Sequence, residues 1–454
     1  EVQELLARHR VVEGLVHRQQ MPRPELVENL VHKQHIAELR HKLDELHPAD
    51  IAYILEALPL DERLFVWDLV KADRDGEILL EVSDAVRETL IEAMDSQELV
   101  AATEQLDTDE IADLAPDLPS EVMQDVFRAL SVEEREQLRE AMSYDEDSVG
   151  ALMDFEAVSV REDVTLEAVL RYLRRFEELP DHTDQLFVVD REERLQGVLP
   201  LNLLLVTDPD EMVSNIMADE PLTLEPDEKA QTAAQAFERY DLVSAPVVDA
   251  EGKLVGRVTV NAVVDYIRES TETEQLSRAG LREGEDIFAS VWDSVKNRWS
   301  WLAINMVTAF IASRVIGAFE GSIEKLVALA ALMPIVAGIG GNSGNQTITM
   351  IVRALALGQV QQESARVLLR KEIGVAMVNG LIWGSLLGFV AWWLYRSVAL
   401  GAVMTAAMML NLIVAATVGV AVPLLRQRLG YDPAIGSSVL ITAVTDSGGF
   451  FIFL

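Results

Sequence analysis

Asp446 stands in the run AIGSSVLITAVTDSGGFFIFL, Ala434 to Leu454, about twelve residues in from the end of the run that follows Arg426 and Arg428. At ~1.5 Å per residue that is roughly 18 Å along a helix, near the midplane of a hydrocarbon core about 30 Å thick. A carboxylate at that depth costs at least ~2.5 kcal/mol, which makes it a functional-site candidate; the alternative is an Asp neutralised by a proton or bonded to the Thr445 hydroxyl. Gly448 and Gly449 beside it predict close backbone approach or a loosened helix. Asp446 reads as the only acid well inside an apolar span.

A second polar interruption lies in PIVAGIGGNSGNQTITMIVRAL, Pro334 to Leu355. On a helix, Gly338, Gly341, Asn342, Asn345, Gln346 and Thr349 follow i, i+3, i+4, i+7 spacing and share one face. Unsatisfied amides in hydrocarbon cost several kcal/mol, so this face must meet protein or water. Helix packing through small residues is one reading of the glycines; the stripe as a whole reads as the wall of a water-filled path. Asp446 and Thr445 from one helix, with Gly341, Asn342 and Asn345 from the other, form an all-oxygen set suited to a hard cation. One acid is too little charge to strip a divalent ion of its water. Two copies meeting on a two-fold axis would present two Asp446 carboxylates to one pore, and Mg²⁺, which dehydrates reluctantly, would pass as a hydrated ion.

The elements that must position these residues are membrane spans. Apolar runs at 300–319, 327–352, 373–394, 398–425 and 434–454 are each near or above the ~20 residues a crossing helix needs. Lys296, Arg298, Arg353, Arg366, Arg370, Lys371, Arg426 and Arg428 flank one side, which the positive-inside rule makes cytoplasmic, while the opposite loops offer mainly Glu320, Glu324 and Arg396. The soluble half then lies in the cytoplasm and five spans put the C-terminus outside. The opening EVQELLARHR is charged and helical, with no secretory signal.

Charge divides the chain in the same place. Of the formal −37, the residues from Ser294 onward carry 11 Lys+Arg against 6 Asp+Glu, so residues 1–293 hold about −42. That acidity excludes nucleic acid as a partner. There is no Cys, which excludes disulfides and thiolate sites, and all seven His lie in the soluble half, which speaks against a soft-metal site at the stripe. No Ser-His-Asp, HExxH or P-loop spacing supports an enzyme.

Two internal repeats organise the soluble half. ADIAYILEALP at 49–59 recurs as DEIADLAPDLP at 109–119, so residues 1 to about 135 read as a superhelix of paired helices. LFVVDREERLQGVLPLNLLL from Leu186 matches APVVDAEGKLVGRVTVNAVV from Ala245, and upstream LMDFEAVSVREDVTLEAVL from Leu152 matches IMADEPLTLEPDEKAQTAA from Ile216. Each unit is strand, helix, strand, turn, strand, helix, and the pair resembles tandem CBS modules. Such modules hold an adenosine nucleotide through an Asp in a Gly, two apolar, Ser/Thr, two variable, Asp pattern. Here GVLPLNL has Pro200 and Leu203, and GRVTVNA keeps Thr259 but has Ala262, so ATP binding is expected to be weak or absent. A charged, interrupted helical connector from Asn261 to Asn297 leads into the first span, able to transmit cytoplasmic state to the pore by sliding or tilting.

The order of parts, with PIVAGIGGNSGNQT in the second span and VTDSGG in the fifth, resembles the MgtE family of magnesium channels and transporters over essentially the whole chain. The resemblance implies a multi-domain membrane protein: an α-helical transmembrane bundle with five spans per protomer, a cytoplasmic α-helical superhelix, a tandem α/β CBS-module pair and a connecting plug helix. The expected boundaries are 1–135, 136–204, 205–268, 269–297 and 298–454. It further implies a homodimer in the cytoplasmic membrane whose Asp446 recognises hydrated Mg²⁺, and closure by cytoplasmic Mg²⁺ bridging acidic surfaces. Repulsion among the acids is the physical reason that ion-free domains should splay apart. Asp241, Asp265 and Glu274, with Asp109 or Asp113 opposite, match the family's sensor positions. Relatives commonly read Thr-Val-Asp-Asp where this chain has Thr259, Val260, Asn261 and Ala262, which implies weaker or fewer inhibitory sites. The rival readings are a non-conducting membrane-anchored sensor or scaffold, and a conduit for Mn²⁺, Co²⁺ or Ni²⁺.

Overall fold

The computed structural model describes Leu5 and residues 36–281, 286–356, 365–431, 433, 434 and 436–454. The chain forms two compact units, one comprising Glu1–Ser270 with Asp286–Phe288 and the other Thr271–Glu285 with Ala289–Leu454.

After a helical stretch described over 36–44, the first unit runs through short helices α1 (Pro48–Glu56), α2 (Leu60–Trp67), α3 (Asp75–Glu81), α4 (Asp84–Ala93), α5 (Ser96–Thr103), α6 (Thr108–Leu114), α7 (Ser120–Ala129) and α8 (Val132–Ala141). The 60-residue recurrence conceals a finer step. N-caps fall at His47, Pro59, Lys71, Ser83, Asp95, Asp107, Pro119 and Ser131, twelve residues apart, with Lys71 opening the 3₁₀ turn that runs into α3. Asp95, Asp107 and Ser131 close capping boxes with Glu98, Glu110 and Glu134, which fixes where those helices start. Leu55, Ile78, Leu90, Ile111 and Leu138 are fully buried in one continuous core, each worth about 1.5–3 kcal/mol relative to exposure.

Helices α2, α4 and α8 each place an arginine four positions after the cap that reaches the end of the helix before it. Arg63 Nε donates to Leu55 O at 3.0 Å, Arg87 Nε to Leu79 O at 2.8 Å and Arg135 Nε to Leu130 O at 3.0 Å. These cations satisfy carbonyls that a helix end leaves orphaned and complement its dipole. At the equivalent place in α6 stands Ile111, without a cation.

Arg63 is 0 % exposed and also pairs with Asp286, 2.7 Å away, in the segment that precedes the first long apolar helix. Stranding a buried guanidinium would cost about 3–5 kcal/mol, so Asp286→Ala is expected to release residues 286–288 from the superhelix instead. Amide exchange there should quicken at least about tenfold, an opening of about 1.4 kcal/mol. Unchanged exchange would deny the pair that role.

The modules continue the chain as β1 (Met153–Asp154), β2 (Ser159–Arg161), α9 (Leu166–Leu173), β3 (Gln185–Val189), β4 (Leu195–Pro200), α10 (Leu201–Val206), α11 (Val213–Ile216), β5 (Ala218–Asp219), α12 (Ala230–Tyr240), β6 (Ser244–Val248) and β7 (Leu254–Thr259). Their sheets have orders β1-β7-β6 and β2-β3-β4-β5, so each sheet contains a strand from the other module's sequence repeat. The two repeats match in register: Gln185 faces Pro200 as Ser244 faces Thr259, and bulges fall at Val188/Val189 and Val247/Val248. Buried Arg257 on β7 clamps the swapped β1 through Asp154 Oδ2 at 2.7 Å, its Nη2 donating also to Asp181 O at 2.8 Å.

Helix α13 (Val260–Ala279) ends at Gly280, whose φ of 77° suits glycine and where a Cβ would collide with the Trp301 ring. Then come α14 (Val291–Ala318), α15 (Glu320–Lys325), α16 (Ala328–Ala356), α17 (Ala365–Tyr395), α18 (Val398–Arg428) and α19 (Ser437–Phe453). Helices α14, α17 and α18 are long and apolar enough to cross a membrane. Helix α16 has the length, at 29 residues, but its glycines and amides dilute its apolar character, and α19 is apolar over 17 residues. These five helices lie where the five apolar runs fall. Trp299, Leu302, Met306 and Phe310 of α14 are exposed, as lipid-facing side chains are. Glycines let α17 and α18 approach closely: Thr405 Oγ1 donates across to Gly384 O at 3.0 Å.

Candidate functional site

The polar stripe lies on a continuous helix, and the structure divides it into two edges. Gly341 is buried, an added Cβ there lying 3.5 Å from Thr445 Oγ1, and Asn345 one turn on is half-buried. Gly338, Asn342, Gln346 and Thr349 form the other edge, exposed on the single chain. The structure therefore brings Gly341 and Thr445 together at the crossing of α16 and α19. Close packing continues at Gly344, where a Cβ would collide with Ile441.

Thr445 is fully buried and donates to Ile441 O at 2.8 Å in its own helix, so its hydroxyl hydrogen is spent on backbone rather than on the neighbouring Asp446. Asp446 is half-buried and stands one residue, about 100° of helix, beyond that contact. Helix α19 runs unbroken through both glycines. It is not loosened there, and the predicted close approach occurs at Gly449, where a Cβ would lie 2.8 Å from Asn411 Nδ2.

Asp446 is not the only acid within the long apolar helices. Helix α17 starts at Ala365, upstream of the predicted span, and contains Glu372, 6 % exposed, which accepts from Thr347 Oγ1 at 3.1 Å and has Lys371 Nζ 3.6 Å away. Three cations ahead of it, Arg366, Arg370 and Lys371, hide this acid from a hydropathy reading. Thr347 lies two residues, about 200°, from Asn345, so Glu372 braces the back of α16 rather than its stripe.

In the first unit α6 packs against β1 and the 3₁₀ turn Val149–Leu152. Asp109 is half-buried there; desolvation first, then Asp154, pushes its carboxyl up to about 8. Asp107, Glu110 and Glu156 are also raised, each chiefly by desolvation, with Asp154 adding to all three and Arg257 opposing for Asp107 and Glu156. Asp113 is exposed by surface area yet crowded enough to rise to about 7, desolvation outweighing Arg87, with Glu269, Glu110 and Asp265 adding. Two acid groups thus gather around α6, where the arginine of the repeat is replaced by Ile111.

Of the sensor candidates, the structure brings Asp109 beside Asp154 and Asp113 within electrostatic reach of Asp265. Asp241 lies elsewhere, as the C-cap of α12 at φ 52°, a backbone role in which Asp is tolerated. Glu274 is half-buried on the part of α13 that belongs to the second unit. Sequence reading passes over Asp107, Glu110, Asp154, Glu156 and Glu269; the missing arginine at 111 in a 24-residue pattern is the available signal. Asn261 Nδ2 lies within hydrogen-bond distance of His182 Nε2. Leu203 and Ala262 supply no carboxylate to a ribose.

Among the described residues no three His, Cys, Asp or Glu side chains converge into a ready-made metal cage. Scattered oxygen donors suit a cation that keeps its water, as Mg²⁺ does. Long apolar helices, one bearing amides along an open face, joined in sequence to an acidic superhelix and paired α/β modules, define a multi-pass membrane protein of the hard-cation transporter class.

Comparison with known proteins agrees. The family described as divalent cation transporter, MgtE, matches residues 333–454, the MgtE intracellular N domain matches 46–147, and CBS domains match 149–205 and 213–269. A magnesium transporter MgtE of Thermus thermophilus is 33% identical over 92% of this chain and 93% of its own length. That of Bacillus subtilis is 26% identical over 90% and 91%. Among solved structures, the cytosolic domain of the Mg²⁺ channel MgtE in complex with ATP is 32% identical, covering 53% of this chain and 98% of its own, with a TM-score of 0.48. The chain belongs to the MgtE family of divalent cation transporters.

Proposed function

We propose that this protein imports Mg²⁺ through the cytoplasmic membrane as a homodimer, with its N-terminus cytoplasmic and its C-terminus outside, and that cytoplasmic Mg²⁺ closes it. The observation that carries the reading is the open edge of α16. Asn342, Gln346 and Thr349 are exposed on one chain at a depth where lipid can satisfy none of them, so a second chain or a water-filled path must. Two copies related by a two-fold axis would supply both, with Asp446, Asn342 and Asn345 along the path and buried Gly341 and Thr445 packed behind it at the crossing of α16 and α19. The ion is held through its water shell, and the membrane potential drives it inward with about 4.6 kcal/mol per 100 mV.

Regulation rests on the acids around α6. Asp109 with Asp154, and Asp113 with Asp265 and Glu269, repel when bare; Mg²⁺ between them favours the charged forms and draws superhelix and modules together. Asp241 and Glu274 are weaker candidates for the same role. The domain boundaries on this reading are 1–135, 136–204, 205–268, 269–297 and 298–454, with ATP held weakly or not at all because Leu203 and Ala262 replace the ribose-binding acid.

Mg²⁺ uptake by cells lacking their own importers tests the proposal. Uptake should appear with this protein, compete only weakly with Mn²⁺, Co²⁺ or Ni²⁺, and change little with ATP in inverted vesicles. Stronger transport of one of those ions would favour that cargo; no flux at all would favour a membrane-anchored sensor.

A further inference from the structure

Asn411 is the lone asparagine of α18 and is 0 % exposed. Its Nδ2 donates to Val336 O of α16 at 2.9 Å. The same side chain fills the space left by two glycines on different helices. A Cβ on Gly340 of α16 would collide with Asn411 Nδ2, and one on Gly449 of α19 would lie 2.8 Å from it. Gly340 adjoins Gly341, which faces Thr445, and Gly449 lies three residues, nearly one turn, beyond Asp446. One amide from a third helix is therefore wedged between the helix of the polar stripe and the helix of Asp446.

Packing does not account for an amide here. Its Oδ1 is buried with no hydrogen-bond partner among the described residues, whereas leucine would occupy a similar volume with no polar atom to satisfy. Elsewhere in the same helix the buried positions Met404, Met408, Leu412 and Val420 are apolar. What distinguishes asparagine is the fixed bond to Val336 O, made in the narrow gap that the glycines leave open.

We propose that Asn411 is a positioning residue for cation passage, setting the separation of α16 and α19 and through it the place of Asp446 relative to the amide stripe. The inference rests on the Mg²⁺ pathway proposed above. Asn411 does not touch the ion; it holds apart, at a fixed distance, the two helices that do.

Measure Mg²⁺ uptake, its competition by Co²⁺ and thermal unfolding in detergent for Asn411→Leu, Gly340→Ala and the double variant Asn411→Ala/Gly340→Ala, beside Asp446→Ala. Asn411→Leu is expected to unfold no earlier than the wild type, yet to transport at least about tenfold more slowly with an altered Co²⁺-to-Mg²⁺ ratio. Gly340→Ala should lose transport through the collision, and the double variant should recover part of it because the collision is gone. An Asn411→Leu protein with wild-type uptake and ratio, or a double variant no better than Gly340→Ala, overturns the positioning role. Undiminished uptake by Asp446→Ala would overturn the pathway itself, so the two failures are distinguishable.

Discussion

Replacing Asp446 by Ala should reduce Mg²⁺ uptake to background while leaving the protein folded and in the membrane. A charge-assisted hydrogen bond contributes about 1.5–3 kcal/mol, and two protomers would lose one each, so the expected fall is about two orders of magnitude or more. Among the described residues half-buried Asp446 makes no hydrogen bond that holds α19 in place; Thr445 beside it serves that helix's backbone instead. Removing the carboxylate therefore subtracts charge from the path without undoing a packing contact. Asp446→Asn keeps the shape and still accepts hydrogen bonds from a hydrated ion, so it should retain some flux while losing preference for divalent over monovalent cations. Uptake assays with radiotracer or indicator dye decide it. Wild-type uptake by a folded Asp446→Ala protein would mean that ions cross elsewhere.

The second large effect is a pH dependence of opposite sign to that of most acidic proteins. In the absence of divalent cations, Asp109 holds its proton up to about 8, Asp113 to about 7 and buried Asp75 to about 6, against 3.8 for an unfolded Asp. Desolvation is the first cause for each. The folded state thus binds more protons than the unfolded chain between about pH 4 and pH 8, so stability is fully present below that window and declines as pH rises through it. The slope is at most about 1.4 kcal/mol per pH unit for each proton retained, and less at exposed Asp113. In EDTA the thermal midpoint of the solubilised protein should fall from pH 5 to pH 8. Mg²⁺, by favouring the charged carboxylates, should restore it most at the alkaline end and bind more tightly there. General repulsion within an acidic half acts in the same direction, and Asp109→Asn separates the two by flattening the local contribution alone. A midpoint that rises with pH in EDTA would contradict the burial of these acids.

Composition and short-range pattern made part of the molecule legible in its sequence. An acid and six polar residues stand out against apolar background, so Asp446 and the stripe are visible there, and the 59-residue correspondence between Leu186 and Ala245 reappears as matched strand registers and bulges. Hidden features depend on distance in the chain or on masking by neighbours. Arg63 and Asp286 are 223 residues apart, and nothing local marks them as a pair. Glu372 comes directly after Arg370 and Lys371 and reads as part of a basic flank, although its carboxylate turns inward to Thr347. Asn411 reads as an incidental polar residue in an apolar helix until Gly340 and Gly449 are seen to converge on it. The acids around α6 come from three separated stretches, and burial, which sequence does not report, sets their proton affinity.

The superhelix starts a new helix every twelve residues, so a whole pair of helices spans 24. Gaining or losing such a pair returns each later side chain to its own face, whereas one residue inserted within a helix rotates the rest of that helix by about 100° and turns charges inward. Length in this domain is therefore quantised. An ancestral gene could have lengthened or shortened its reach by copying units, with no redesign of the interior.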